Sequence, residues 1–174
     1  MTAEEIYESV TNGGSSDFAD VAAILERMGR WCLIGGLAVN CYVEPVYTID
    51  ADIVVASDNL ARVREDLAAA GFRLEEFSHS LNASKPGSKL QLQFTKDTRY
   101  QDFIDRAQRR EVLGNLIPIA RLEDIMQGKI WAWKDPERRS TKRKKDELDL
   151  MRIAEAFPKL RPELPREIVD QITT

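Results

Sequence analysis

Cysteine and histidine are scarce in this chain, with two of the first and one of the second among 174 residues. Cys32 and Cys41 lie in apolar company without a metal-binding spacing. That excludes a disulfide scaffold and a thiolate metal site, and both are expected as core fillers in a reducing compartment. The lone His79, in a polar stretch, cannot build a histidine metal site and carries no assigned role. Long apolar runs are also missing: nothing approaches the ~20 residues that a membrane span requires. The opening MTAEEIYESV is acidic where a secretory signal would be basic, so a cytoplasmic protein with no membrane contact is expected. The formal charge of −4 says little about partners. Its distribution says more, because KIWAWKDPERRSTKRKK gathers Lys129, Lys134, Arg138, Arg139, Lys142, Arg143, Lys144 and Lys145.

A chain of this length buries roughly 70% of its unfolded surface, enough for a real core. Phe18, Val21, Ala22, Ile24 and Leu25 recur at helical spacing, which predicts a helix over 17–29 with Asp17 as its N-cap and Gly29 as its stop. The apolar run RWCLIG then reads as a buried strand closed by Gly35-Gly36. LAVNCYV returns to helical composition until Glu44-Pro45. Residues 48–55 alternate as a strand: Thr48, Asp50, Asp52 and Val54 share one face, and Ile49, Ala51, Ile53 and Val55 the other. An amphipathic helix, NLARVREDLAAAG, follows, then an edge strand FRLEEF, a loop NASKPGS and the strand KLQLQF. YQDFIDRAQRR fits a helix or an irregular excursion, and EVLGNLIPIA a strand or a tight hairpin about Gly114-Asn115. After Arg121 the pattern is helical: LEDIMQGKIWAWK, a polar basic break, KRKKDELDLMRIAEAF, and a last short helix over Arg166–Ile172. The fold class expected is α/β (α+β). It is a mixed β-sheet with flanking helices over 1–119 and an α-helical C-terminal tail over 120–174, packed on that core.

The chemistry concentrates on Asp50 and Asp52. Two unit charges ~4 Å apart at an effective dielectric of ~20 repel by about 4 kcal/mol, so a partly buried pair requires compensation. A divalent cation is the common remedy, and Mg²⁺ in particular is held by one or two carboxylates plus substrate phosphates. The plainer alternative is a solvated edge strand with two ordinary acids. Gly35-Gly36 alters that balance. Glycine lets backbone approach a phosphate, and the start of the following helix offers free N–H groups to it. A phosphate-accepting turn beside a metal-binding pair makes a coherent nucleotide site.

The order strand, GG, helix, TIDADI resembles the nucleotidyltransferase fold related to DNA polymerase beta, and within it the AbiEii/AbiGii-type nucleotidyltransferase toxins. LEDIMQGKIWAW followed by KKDELDL is similar to that family's Leu-(x)n-Lys-(x)2-Ala helix and Lys-Asp-x-x-Asp-Leu motif, so the likeness covers most of 30–153. The resemblance implies Mg²⁺ or Mn²⁺ on Asp50 and Asp52, and nucleotide held by Gly35, Gly36 and Thr48. It further implies Lys129 on the phosphates, and Lys145, Asp146 and Asp149 along the far side of the cleft. Asp50, Asp52, Lys129 and Asp146 form the implied catalytic set. The implied substrates are an NTP and an acceptor hydroxyl, with RNA or the acceptor end of tRNA as a candidate and an antitoxin as a possible partner. From the residues alone, Asp146 and Asp149 equally suit i, i+3 or i, i+4 pairs with neighbouring bases. The run 138–145 equally suits a solvated interhelical loop, and Trp131 and Trp133 suit core and rim positions.

One departure stands out. The family places a third carboxylate on the neighbouring strand, but the polar face of KLQLQF is Lys89, Gln91, Gln93 and Thr95. An amide is no general base and a poor ligand for hard cations. Asp97 and Asp102 lie nearby off the matching position. Two rivals therefore stand beside a toxin-like transferase. One is a binding module on the same fold; the other is a small-molecule nucleotidyltransferase of the antibiotic-modifying kind.

Overall fold

The computed structural model describes residues 3–172. Helices α1, Ala3–Thr11, and α2, Gly14–Met28, open the chain. Helix α2 begins three residues before the expected Asp17, because its first N–H groups are capped from α1. Thr11 Oγ1 accepts from Gly14 N at 2.9 Å and Glu8 Oε2 from Ser15 N at 2.7 Å. Asp17 instead faces Lys85 at 3.5 Å.

Strand β1, Trp31–Ile34, runs into the five-residue helix α3, Gly35–Val39, which stops well short of the expected Glu44. Asn40 ends it. Its side chain donates to the Val46 carbonyl at 2.7 Å and accepts the Val46 N–H at 3.1 Å, closing a loop where helix was expected. Then come β2, Asp50–Val55, α4, Leu60–Ala69, β3, Arg73–Glu76, β4, Ser80–Ser84, and β5, Gln91–Thr95. Strand β4 corrects the sequence reading, which placed a loop from Asn82 onward. Ser and Asn favour turns, but pairing with β5 on one side and β3 on the other buries Leu81 and Ala83 and overrides that preference.

After the short helix α5, Gln101–Asp105, strands β6, Gln108–Val112, and β7, Asn115–Ile119, form a tight hairpin, one of the two readings the sequence left open, with its turn one residue before the expected Gly114-Asn115. Both turn residues, Leu113 and Gly114, have positive φ, the geometry that matches strand twist. Helices α6, Leu122–Lys134, α7, Ser140–Ala156, and α8, Arg166–Val169, complete the chain. The last ends three residues before the expected Ile172.

The seven strands form one mixed sheet in the order β3-β4-β5-β2-β1-β7-β6, with parallel pairs β2/β5 and β1/β7. Period-two alternation gives the central strands two different faces. Leu33, Ala51, Ile53, Leu81, Ala83, Leu92 and Phe94 are all essentially buried and lie on the side covered by α2 and α4. Asp50, Asp52, Gln91 and Gln93 lie on the other side, where α6 and α7 stand off and leave a cleft. Cys32 and Cys41 pack against the core as expected; burial pushes their thiols up to about 12 and about 11, well outside the reactive range.

Candidate active site

The cleft is built from the end of β1 outward. Ile34 pairs with Asp52 across the antiparallel β1/β2 ladder, so the chain leaving β1 at Gly35 turns directly over the Asp52 carboxylate. Gly35 has φ +73, and a Cβ there would overlap Asp52. Gly36 differs. A Cβ on it would come no nearer than 3.7 Å to Asp149 Oδ2 and 4.0 Å to Thr48 Oγ1, so its missing side chain leaves open a cradle between those residues. Thr48 accepts the Asp50 N–H at 3.3 Å and sets the start of β2.

Gly35, Gly36, Thr48, Asp50, Asp52, Lys129, Lys145, Asp146 and Asp149 all line this one cleft. Lys129 Nζ, nearly buried, lies 2.9 Å from Asp146 Oδ1 and 2.7 Å from Asp149 Oδ2. Desolvation lowers its pKa, but the two carboxylates, Asp149 foremost, outweigh that and the net shift is upward. Asp146 also accepts from Arg138 and Asp149 from Arg152, the latter at 2.7 Å. Three cations thus share two buried carboxylates and tie α6 to α7. Asp149–Arg152 is the local i, i+3 pair the spacing allowed, while the bonds to Lys129 join two helices.

Asp52 sits deepest of the β2 pair. Burial raises its pKa and the neighbouring Asp50 adds to the rise, against the pull of Lys129, Lys142 and Arg138. Asp50 is ion-paired with Lys142 from α7. Across the parallel β2/β5 ladder Gln91 pairs with Asp50 and Gln93 with Asp52, so amides occupy the adjacent strand where a third acid was expected. Asp97 lines the cleft but is held by Arg99 at 2.6 Å, which keeps its pKa low. Asp102 lies in the first turn of α5, off the cleft. Among the described residues no group of three or more His, Cys, Asp or Glu could cage a metal ion. Two hard carboxylate oxygens on one face beside an open glycine cradle nevertheless fit Mg²⁺ or Mn²⁺, which take one or two carboxylates and complete their shell with phosphate and water.

Several lining residues escaped the sequence reading. The basic run is mostly not a loop, since α7 begins at Ser140, and three of its charges make contacts inward. Arg138 reaches Asp146, Lys142 reaches Asp50, and Arg143 Nε donates to the Trp133 carbonyl at 3.1 Å. Lys142, Asp146 and Asp149 recur at i, i+4, i+7, a stripe the heptad spacing carried all along. Trp131 is part of an aromatic wall: Tyr100 meets it edge-on at 5.2 Å, Phe103 stacks at 5.8 Å, and the Arg99 guanidinium lies 4.6 Å above it. Gly128 admits Tyr100, whose ring would stand 2.9 Å from a Cβ there. Exposed Tyr47 and Leu148 also line the cleft, as does His79.

No family model matches the sequence, and no curated protein matches it either. Solved structures do. The antibiotic-resistance factor ANT(2'')-Ia superposes with a TM-score of 0.60 at 14% identity, over 86% of this chain and 89% of its own. The lincosamide antibiotic adenylyltransferase LnuA gives 0.51 at 14%, over 74% and 90%. An antigenic nucleotidyltransferase-like protein from Paracoccidioides brasiliensis gives 0.53 at 16%, over 94% and 96%. With the strand, glycine turn, short helix and paired aspartates in the same cleft, the architecture of this chain is the nucleotidyltransferase fold.

Proposed function

We propose that this protein is a nucleotidyltransferase that moves a nucleoside monophosphate from an NTP to an acceptor hydroxyl. The observation that carries the reading is the convergence of Asp50 and Asp52, on one strand face, with the open cradle at Gly36 and the ammonium of Lys129. Asp50 and Asp52 would hold Mg²⁺ or Mn²⁺, which supplies charge neutralisation on the triphosphate. Gly35 and Gly36 bring backbone to the outer phosphates. Lys129, fixed by Asp146 and Asp149, keeps positive potential on the phosphate side, and Lys145 at the rim adds to it. The bond from the α-phosphorus to pyrophosphate breaks as the acceptor oxygen attaches in line, the pyrophosphate leaving with the bonding pair and the hydroxyl proton passing to water.

Of the two acceptor classes, a small molecule is favoured over RNA. Half of the basic run, Arg138, Lys142 and Lys144, pairs with the protein's own carboxylates and leaves less charge for a polyanion, so the toxin-like reading and its antitoxin partner rest on the sequence motifs alone. ANT(2'')-Ia and LnuA, of the same fold, are an antibiotic-resistance factor and an antibiotic adenylyltransferase. Calorimetry with Mg²⁺ and each NTP is expected to show binding that Asp50→Ala removes. Absence of heat with every NTP refutes the proposal. Gln91 and Gln93 beside the aspartates favour a second reading, nucleotide binding without turnover. A labelled-NTP transfer assay with Asp52→Asn as control separates the two, since binding without transfer selects the second.

A further inference from the structure

We infer that Lys142 is an exchangeable counter-ion that neutralises Asp50 without metal and transfers to the nucleotide's phosphates when a metal–nucleotide complex enters. The inference rests on the nucleotidyltransferase reading and adds to it a residue the motifs did not mark.

The cations around the cleft differ in how firmly they are held. Lys129 is nearly buried and bridges two carboxylates, Arg138 forks onto Asp146, and Arg152 is shared by Asp149 and the Asn40 side chain. Lys142 has a single partner, Asp50, and its side chain is 38% exposed at the end of a flexible four-carbon stem. It is also the only partner the structure gives the Asp50 carboxylate among the described residues. Asp50 and Asp52 share a face and repel, so the pair needs a cation beside it, and the Lys142 ammonium supplies one.

That contact has a consequence for ligand order. A divalent ion held by Asp50 and Asp52 would compete with the Lys142 ammonium for the Asp50 carboxylate, and metal arriving alone would bring Lys142 no new anion. Metal arriving with a triphosphate brings the anion along. Because Lys142 sits one turn before Asp146 and two before Asp149, on the α7 face that lines the cleft, a swing of its stem leaves it facing that anion. Free metal is therefore bound weakly and the metal–nucleotide complex strongly, a coupling located in one side chain.

The test uses Mn²⁺ as the probe, read by the paramagnetic resonance of the free ion, and Mn²⁺ with a non-hydrolysable ATP analogue, read by calorimetry. Wild type is expected to bind the complex well and Mn²⁺ alone poorly. Lys142→Ala is expected to bind Mn²⁺ alone about tenfold more tightly and the complex about tenfold more weakly. Lys142→Met keeps most of the stem without its charge and should behave likewise, guarding against a packing defect in the first variant. Lys145→Ala removes the same charge from the same cleft without touching Asp50, and should change affinity for Mn²⁺ alone much less. Unchanged Mn²⁺ affinity in Lys142→Ala, or an equal gain in Lys145→Ala, overturns the inference. Failure of every protein, wild type included, to bind the complex instead overturns the nucleotidyltransferase reading.

Discussion

Gly35 and Gly36 are neighbours with different duties. Gly35 is required by the fold, since φ +73 is left-handed and any Cβ would strike Asp52. Gly35→Ala is expected to cost at least about 1–2 kcal/mol in urea unfolding and to displace the carboxylate, removing metal–nucleotide binding as well. Gly36 has ordinary van der Waals room, so Gly36→Ala should stay within about 0.5 kcal/mol of wild type while weakening nucleotide. Equal loss of stability in both variants would refute that division of labour. Asp52 carries a similar opposition between stability and use. Its folded-state pKa is raised by burial and by Asp50, so its ionisation opposes folding. That penalty grows as pH rises from the ordinary carboxylate range through the raised value. Asp52→Asn is accordingly expected to melt higher than wild type near neutrality, with the gap closing in acid, while metal–nucleotide binding is lost. A variant that melts lower at every pH would refute it. At this scale the aspartate pair and glycine turn were legible, because their spacing is covalent. Lys142 was not, because what distinguishes it from its basic neighbours is a partner 92 positions away.

Among the elements, α6 and α7 are joined by charge where helices usually meet through apolar side chains. Lys129→Met would leave Asp146 and Asp149 buried with only Arg138 and Arg152, and breaking such a pair costs roughly 3–5 kcal/mol. Because each carboxylate retains one arginine, a loss near the lower end, about 3 kcal/mol, is expected by chemical denaturation. Loss below ~1 kcal/mol would mean that Lys129 serves the ligand and not the fold. The elements that the sequence misplaced share a cause. Strand β4 is rich in Ser and Asn and exists because β3 and β5 bracket it; α3 stops early because the Asn40 side chain clamps Val46. The helix expected from Lys142 begins two residues earlier, at Ser140, and two charges of the basic run, Arg138 and Lys142, are paired with acids of α7 and β2. Local composition reports propensity, and in each case a non-local partner outweighed it.

For the molecule as a whole, the order β3-β4-β5-β2-β1-β7-β6 puts the strands of the site at the centre and the two most polar strands at the edges. Hydrogen exchange is expected to be slowest in β1, β2 and β5, and faster in β3 and β6, each paired on one side only. Uniform protection across the seven would count against this topology. A central site has a physical use: Asp52 lies where β2 is paired on both flanks, which resists local fraying, and Asp50, the first residue of the strand, is paired with β5. By itself the sequence determined the mixed α/β class, the buried strand ending in Gly35-Gly36, and the common face of Asp50 and Asp52. These follow from hydrophobic periodicity and the two-residue repeat of an extended chain. Only the tertiary structure decided that Gln93 stands beside Asp52, that Lys129 is shared between two acids of α7, and that Lys142 rests on Asp50. Strand register and helix docking are set by the packing of many residues at once, and no short segment carries that information.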